Sequence, residues 1–280
     1  MIADKMKNMV ANSSAIRAMF EEGNRLAGIY GAENVFDFSL GNPNVPAPEA
    51  VKNAIIEIVN DTDPVALHGY TNSNCGYAEV RAAVAKSLNE RFDTHFEGKN
   101  IVMTVGAAGG LNVILKAIIN PGDEVIAFAP YFGEYRSYTN NYDGVLVEIS
   151  PNTVDFQPKL DEFEQKITPK TKAVIVNTPN NPTGAVYTKE QLTELAELAC
   201  KHDFYIISDE VYEKLIYEGK KHFCVASISE EVKDRTVVIN GVSKAYSMTG
   251  WRVGYAAGNA ALIKGMTSLQ GHTTSNTCSI

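Results

Sequence analysis

Lys244 has an unusual setting for a lysine. In the run Gly241-Val242-Ser243-Lys244-Ala245-Tyr246-Ser247-Met248-Thr249-Gly250-Trp251-Arg252 apolar and small residues surround it, and the only nearby cation is Arg252. A desolvated amine beside another positive charge loses basicity and becomes a nucleophile. Arginine, planar and permanently charged, suits a doubly ionised phosphate with a bidentate contact. Most lysines are solvated surface charges, so the reading of Lys244 depends on its company.

Four other places supply that company, and each also has a plain structural reading. Gly106-Ala107-Ala108-Gly109-Gly110 follows an apolar run and leads into a helical pattern; small residues there let an anion approach the free N–H groups of a helix start. A loop that merely packs tightly has the same composition. Thr178-Pro179-Asn180-Asn181-Pro182-Thr183-Gly184 is a rigid turn that fixes the Asn181 amide, or a common Asx-Pro turn. Asp209, with Tyr212 three residues on, offers a carboxylate and a phenol, or a helix cap. Pro130-Tyr131-Phe132 offers a ring on which a flat heteroaromatic molecule stacks, or a core aromatic.

These places share a position in the pattern. Each follows one of the apolar, β-branched runs at 100–105, 124–129, 173–177, 204–208 and 236–240, and further runs occupy 145–149 and 252–257. Helical patterns alternate with them, the clearest at 189–202, where Leu192, Leu195, Ala196 and Ala199 recur at helical spacing behind Thr188 and Gln191, a capping-box pair. Another amphipathic helix is expected from Ser13 to Ala27, ending near Gly28 and Gly31. The alternation predicts an α/β fold with a mostly parallel sheet covered on both faces, in which ligands collect beyond the carboxyl ends of the strands.

The 280 residues are 45% hydrophobic and carry a net charge of -8, which disfavours nucleic acid and anionic membrane surfaces. Cys75, Cys200, Cys224 and Cys278 lack CxxC spacing and read as reduced thiols. Charges at Asp4, Lys5, Lys7 and Arg17 interrupt the apolar residues of the start, so no signal peptide or membrane span is expected, and the location is expected to be cytoplasmic.

From about Asp37 to Asn276 the chain resembles the class I/II aminotransferases of the aspartate aminotransferase fold, known as fold type I. Asn181-Pro182-Thr183-Gly184, Asp209-Glu210-Val211-Tyr212 and Ser243-Lys244 through Gly250-Trp251-Arg252-Val253-Gly254-Tyr255 carry the resemblance. It implies a three-layer α/β/α large domain at 45–280 that binds pyridoxal 5'-phosphate, preceded by an arm, part of a small domain, at 1–44. It also implies that Lys244 holds the cofactor in a Schiff base and moves the proton between the substrate Cα and the cofactor C4′. Asp209 then keeps the pyridine nitrogen protonated, and Asn181 and Tyr212 hydrogen-bond the phenolic oxygen. Ala107 and Ala108 act through backbone N–H groups and Ser243 and Arg252 through side chains on the phosphate, while Phe132 stacks on the ring. Tyr70 reaches the phosphate of a neighbouring subunit, so a homodimer is implied, and Gly41 touches the substrate carboxylate.

The chain departs from that pattern at Gly241, where the family often has a serine, and its sequence stops at Ile280, before the family's C-terminal small domain and its carboxylate-binding arginine. A truncated form, impaired in transferring amino groups between an amino acid and a 2-oxo acid, is expected. Ala108 stands where some aspartate-specific relatives carry a lysine, which lowers the aspartate reading without excluding it. Competing readings are a carbon–sulfur lyase or decarboxylase on the same scaffold and a cofactor-sensing regulator; no basic helix-turn-helix accompanies the latter.

Overall fold

The computed structural model describes residues 2–11 and 15–280. Its contacts divide the chain into two compact units, Met1–Asn44 and Val45–Ile280. The first contains helices α1 (Asp4–Ala11) and α2 (Ala15–Tyr30). The expected start of the second helix, at Ser13, lies outside the described residues; its end comes at Gly31, whose φ of 87° a side chain disfavours.

The second unit opens with α3 (Glu49–Asp61), α4 (Pro64–His68) and α5 (Ala78–Phe92). Strands and helices then alternate: β1 (Ile101–Val105), α6 (Gly106–Ile118), β2 (Glu124–Phe128), α7 (Glu134–Asn141), β3 (Val145–Ile149), α8 (Leu160–Lys166), β4 (Thr171–Asn177), α9 (Lys189–His202), β5 (Tyr205–Asp209), α10 (Glu230–Arg235), β6 (Thr236–Gly241), β7 (Val253–Ala257) and α11 (Ala260–Gly271). All seven apolar runs are strands. The capping box at Thr188 and Gln191 is formed, with Gln191 N donating to Thr188 Oγ1.

One seven-stranded sheet results, in the order β1-β7-β6-β5-β4-β2-β3. Its pairs from β6 to β3 are parallel, whereas β7 runs antiparallel to both β1 and β6. Alternate residues of each strand enter opposite layers. Val125, Ala127, Ala173, Ile175, Ile207, Val237 and Ile239 pack with Leu111 and Ile114 of α6 and Met266 of α11. Ile126, Phe128, Val174, Val176 and Ile206 pack with Phe163 of α8 and Leu192 and Leu195 of α9. Helix α5 covers the β1, β7 and β6 end of that second face through Ala85 and Leu88. Burial on both faces is why these strands read as continuous apolar runs rather than alternating ones. The fold is thus a three-layer α/β/α arrangement, and among the described residues no helix is long and apolar enough to cross a membrane.

Candidate active site at the carboxyl edge of the sheet

Strand direction gathers the sequence candidates. The carboxyl ends of β2, β4, β5 and β6 share one edge because these strands are parallel, and β1 joins them because it is antiparallel to β7, which is antiparallel to β6. The same reversal brings the start of β7 to that edge: Val253 pairs with Val105, and Gly254 with Gly241. Arg252 therefore stands beside the start of α6.

Two of the plain structural alternatives do not hold. The small-residue segment is not a loop, since α6 begins at Gly106 and Ala107 and Ala108 form its first turn; no side chain caps this end. Asp209 does not cap a helix. It is the last residue of β5, and the chain after it forms only turns.

Glycines make this corner possible. A Cβ on Gly106 would lie 2.7 Å from Arg252 Nη2, and a Cβ on Gly254 would lie 2.5 Å from the Gly106 carbonyl carbon and 2.7 Å from Ala107 N. Gly241, where a serine is common in the resembled family, sits with its Cβ position 2.8 Å from Val253 O. The approach of β7 to β6 leaves no room for a side chain there. Arg252 adopts φ 55° and donates from Nη1 to Thr249 O at 2.9 Å.

Asp209 is buried at the centre of the edge. Tyr135 Oη donates to its Oδ2 at 2.7 Å, Val211 N donates to its Oδ1 at 3.3 Å, and Asn177 Nδ2 donates to its main-chain oxygen at 2.9 Å. Burial pushes its carboxyl up to about 6, against the pull of the Tyr135 and Val211 donors. Asn177 does a second job, because its Oδ1 accepts from Asn181 N at 2.7 Å and so fixes the following turn. Asn181 Nδ2 in turn donates to Tyr212 Oη at 3.2 Å. Burial, with the charge of Asp209, raises the Tyr212 phenol to about 12.

Lys244 follows β6 and is half-buried, with its Nζ 5.9 Å from the centre of the Tyr212 ring. Burial first, and the Arg252 guanidinium second, hold its ammonium below the ordinary lysine range. Ser243 beside it is buried. Phe132 lies edge-on to Tyr135, ring centres 5.7 Å apart.

The structure thus draws Asn181, Asp209 and Tyr212 into one hydrogen-bonded group with Lys244 over its ring, and sets Ala107, Ala108 and Arg252 together at one corner. Tyr70 stands apart, 95% exposed. Gly41 belongs to the unit Met1–Asn44 and lies in an irregular segment there. Sequence reasoning missed Tyr135 and Asn177. A tyrosine three residues past Phe132 and an asparagine closing a β-branched run were the available signals, because a polar group buried in such places needs a partner.

The class I and II aminotransferase family model matches residues 33–280. The chain belongs to that family. It is 38% identical over 280 residues to an aspartate aminotransferase of Bacillus sp. strain YM-2, covering 99% of this chain and 68% of the relative. An aspartate aminotransferase of Bacillus subtilis is 39% identical over 250 residues, covering 88% of this chain and 62% of the relative. Among solved structures, the aspartate aminotransferase of Thermus thermophilus with maleate superposes with a TM-score of 0.89 at 35% identity, over 99% of this chain and 69% of that one. The chain therefore spans about two thirds of the length of the relatives it matches. Class I and II aminotransferases use pyridoxal phosphate.

Proposed function

We propose that residues 45–280 form the pyridoxal-phosphate-binding part of a cytoplasmic aminotransferase that exchanges an amino group between an amino acid and a 2-oxo acid, and that Lys244 is the residue bonded to the cofactor. The observation that carries this reading is Lys244 itself, an amine of lowered basicity with Tyr212 and Arg252 as neighbours, at the sheet edge that also presents Asp209.

The residues fit the cofactor. The uncapped first turn of α6, at Ala107 and Ala108, with Arg252 filling the space that a Gly106 side chain would take, supports an anion site for the phosphate, to which the family resemblance adds Ser243. The buried carboxylate of Asp209, at the end of β5, offers a counter-charge to a protonated ring nitrogen, and Phe132 a surface for the ring. When bound, the cofactor supplies an electron sink for the pair released at the substrate Cα.

The geometry supports the following contributions from the protein's own residues. Asp209, ionised by a cationic partner, holds a proton on the ring nitrogen, and Tyr135 and Val211 orient its two oxygens. Asn181 and Tyr212 present an amide and a phenol to the cofactor's phenolic oxygen, which stabilises the oxyanion there. Lys244 Nζ, its basicity lowered by burial and by Arg252, takes the proton from the substrate Cα. Tyr70, so exposed in the single chain, serves the site of a partner in a homodimer. The names of the relatives favour aspartate or a similar dicarboxylate as the amino donor.

Borohydride reduction of the protein with pyridoxal phosphate, followed by peptide mass mapping, tests this. One adduct at Lys244 is expected, lost in Lys244→Ala. Adducts spread over surface lysines, with Lys244 unmodified, would sink the assignment.

A further inference from the structure

Behind Tyr212 lies a group of buried charges that the proposed chemistry does not use. Glu210 and Glu213 flank Tyr212 in sequence, and both are buried, Glu210 completely. The segment from Glu210 to Tyr217 belongs to no helix or strand. Its main chain is tied by Glu210 N to Ile239 O at 2.9 Å, Glu213 N to Glu210 O at 3.0 Å and Leu215 N to Tyr212 O at 2.8 Å. Side chains do the rest of the anchoring. Ser208 Oγ donates to Glu210 Oε1 and His222 Nε2 meets Glu210 Oε2, both at 2.8 Å. Arg91 Nη1, from the last turn of α5, donates to Glu213 Oε1 at 2.5 Å.

Helix α5 also covers the group. The Arg91 guanidinium lies 4.6 Å over the Phe92 ring, and that ring meets His222 edge-on at 5.4 Å. Burial opposes a charge on His222, but Glu210 and Glu213 outweigh it and raise its titration above the ordinary histidine range. The cluster thus resolves into two ion pairs, His222 with Glu210 and Arg91 with Glu213. The ligating atoms of Glu210, Glu213 and His222 all lie within 4.8 Å of one another, as in a cation site, but the Arg91 guanidinium already neutralises Glu213. Glu213 Oε2 and His222 Nδ1 have no hydrogen-bond partner, so the cluster is a costly way to fill space. In some proteins buried charge pairs fix one arrangement of the chain, and this cluster ties both sides of Tyr212 in that way.

We propose that Arg91, Glu210, Glu213 and His222 are positioning residues for Tyr212: by fixing the chain on both sides of it they hold its phenol against Asn181, and through it set the basicity of the group that joins Lys244 to the cofactor. The proposal rests on the functional reading above, in its second half only.

The 280-residue chain loaded with pyridoxal phosphate provides the test. The visible band of the lysine-bound cofactor is titrated with pH in the unaltered chain, in Tyr212→Phe, in Arg91→Met, in Glu213→Gln and in Arg91→Lys. Tyr212→Phe raises the midpoint; Arg91→Met and Glu213→Gln raise it by roughly half as much or more, Arg91→Lys restores it, and Arg91→Met adds nothing in the Tyr212→Phe background. Hydrogen exchange of the cofactor-free chain is the second measurement, with amides of 211–217 exchanging roughly tenfold faster in Arg91→Met and Glu213→Gln while β5 is unchanged. A midpoint in Arg91→Met and Glu213→Gln equal to that of the unaltered chain overturns the proposal, as does unchanged exchange in 211–217. Should the unaltered chain show no lysine-dependent band, the functional reading fails and the exchange measurement alone decides the clamp.

Discussion

Tyr135 Oη donates to Asp209 Oδ2 at 2.7 Å, and both side chains are buried. The two residues come from distant parts of the chain: Tyr135 sits in the first turn of α7, after β2, and Asp209 closes β5, two strands away in the sheet. A carboxyl group so placed needs donors, and burial still pushes it up to about 6. The phenol is therefore the protein's own means of keeping this acid ready to ionise when a cation arrives.

Tyr135→Phe removes that donor with little change of shape. Hydrogen bonds to a charged group are worth about 2 kcal/mol, so cofactor affinity should fall by about 30-fold near neutral pH. Stability of the cofactor-free chain should change less, because Asp209 can take up a proton in compensation. Equilibrium binding followed by absorbance, beside a urea titration, checks both. Equal losses in binding and stability would contradict a role centred on the ionised carboxylate.

The raised titration of Asp209 makes a signed prediction for the cofactor-free chain. Between its ordinary value of 3.8 and about 6 the folded state holds the proton that the unfolded state has released, so this group's contribution to stability falls as pH rises through that window. The contribution amounts to about 3 kcal/mol across the window. Asp209→Asn should remove that slope, so the unaltered chain loses stability relative to the variant as pH is raised from about 4 to about 6. Denaturant unfolding at several pH values measures the difference. Parallel stability profiles would show that the carboxyl is not perturbed. Pyridoxal phosphate should reverse the trend, binding more weakly as pH falls below about 6, since a neutral Asp209 offers no counter-charge.

Much of this site was legible in the residues because its parts are local. Each strand ended in a turn or helix start with its own composition, so Lys244, Asp209, Asn181, Phe132 and the α6 start could be read one at a time, and the parallel topology placed them together. The parts that escaped are the ones that depend on tertiary approach. Tyr135 looks like any aromatic on a helix until β5 is set two strands from β2, and Asn177 looks like the polar end of a strand until its amide reaches across to Asp209. Gly241 reads as a lost serine in sequence, and only the register of β6 with β7 shows that no side chain fits. The clamp around Tyr212 joins α5 to a segment more than a hundred positions away, and no periodicity announces such a pair.

Arg252 should act chiefly on the phosphate, beside its smaller part in lowering the basicity of Lys244. Its guanidinium is held by Thr249 O at the start of α6. Arg252→Ala is expected to weaken pyridoxal phosphate by about 30-fold, the worth of a charge-assisted hydrogen bond, and to weaken pyridoxal, which lacks the phosphate, much less. Competition between the two ligands reads this directly. A matching loss for pyridoxal would place Arg252 elsewhere in the mechanism.

Gly254 tests whether the corner of the site is as closely built as it looks. A methyl group there would meet the Gly106 carbonyl carbon at 2.5 Å, Ala107 N at 2.7 Å and Asn240 O at 2.9 Å, all main-chain atoms of elements that cannot swing aside. Either β7 moves off β1 and β6 or the first turn of α6 is pushed outward, and overpacking of this kind costs about 1–3 kcal/mol. Gly250→Ala is the matched control, because a methyl at that position meets nothing within 4 Å. Urea unfolding should therefore separate the two variants by at least about 1 kcal/mol. Cofactor affinity should separate them as well, because the atoms in the way of the Gly254 methyl include the very amide that is assigned to the phosphate. A Gly254→Ala chain that is stable yet binds the cofactor poorly would mean that the helix start yields before the sheet does; one that is unstable but binds normally would mean the reverse, and would remove Ala107 N from the anion site.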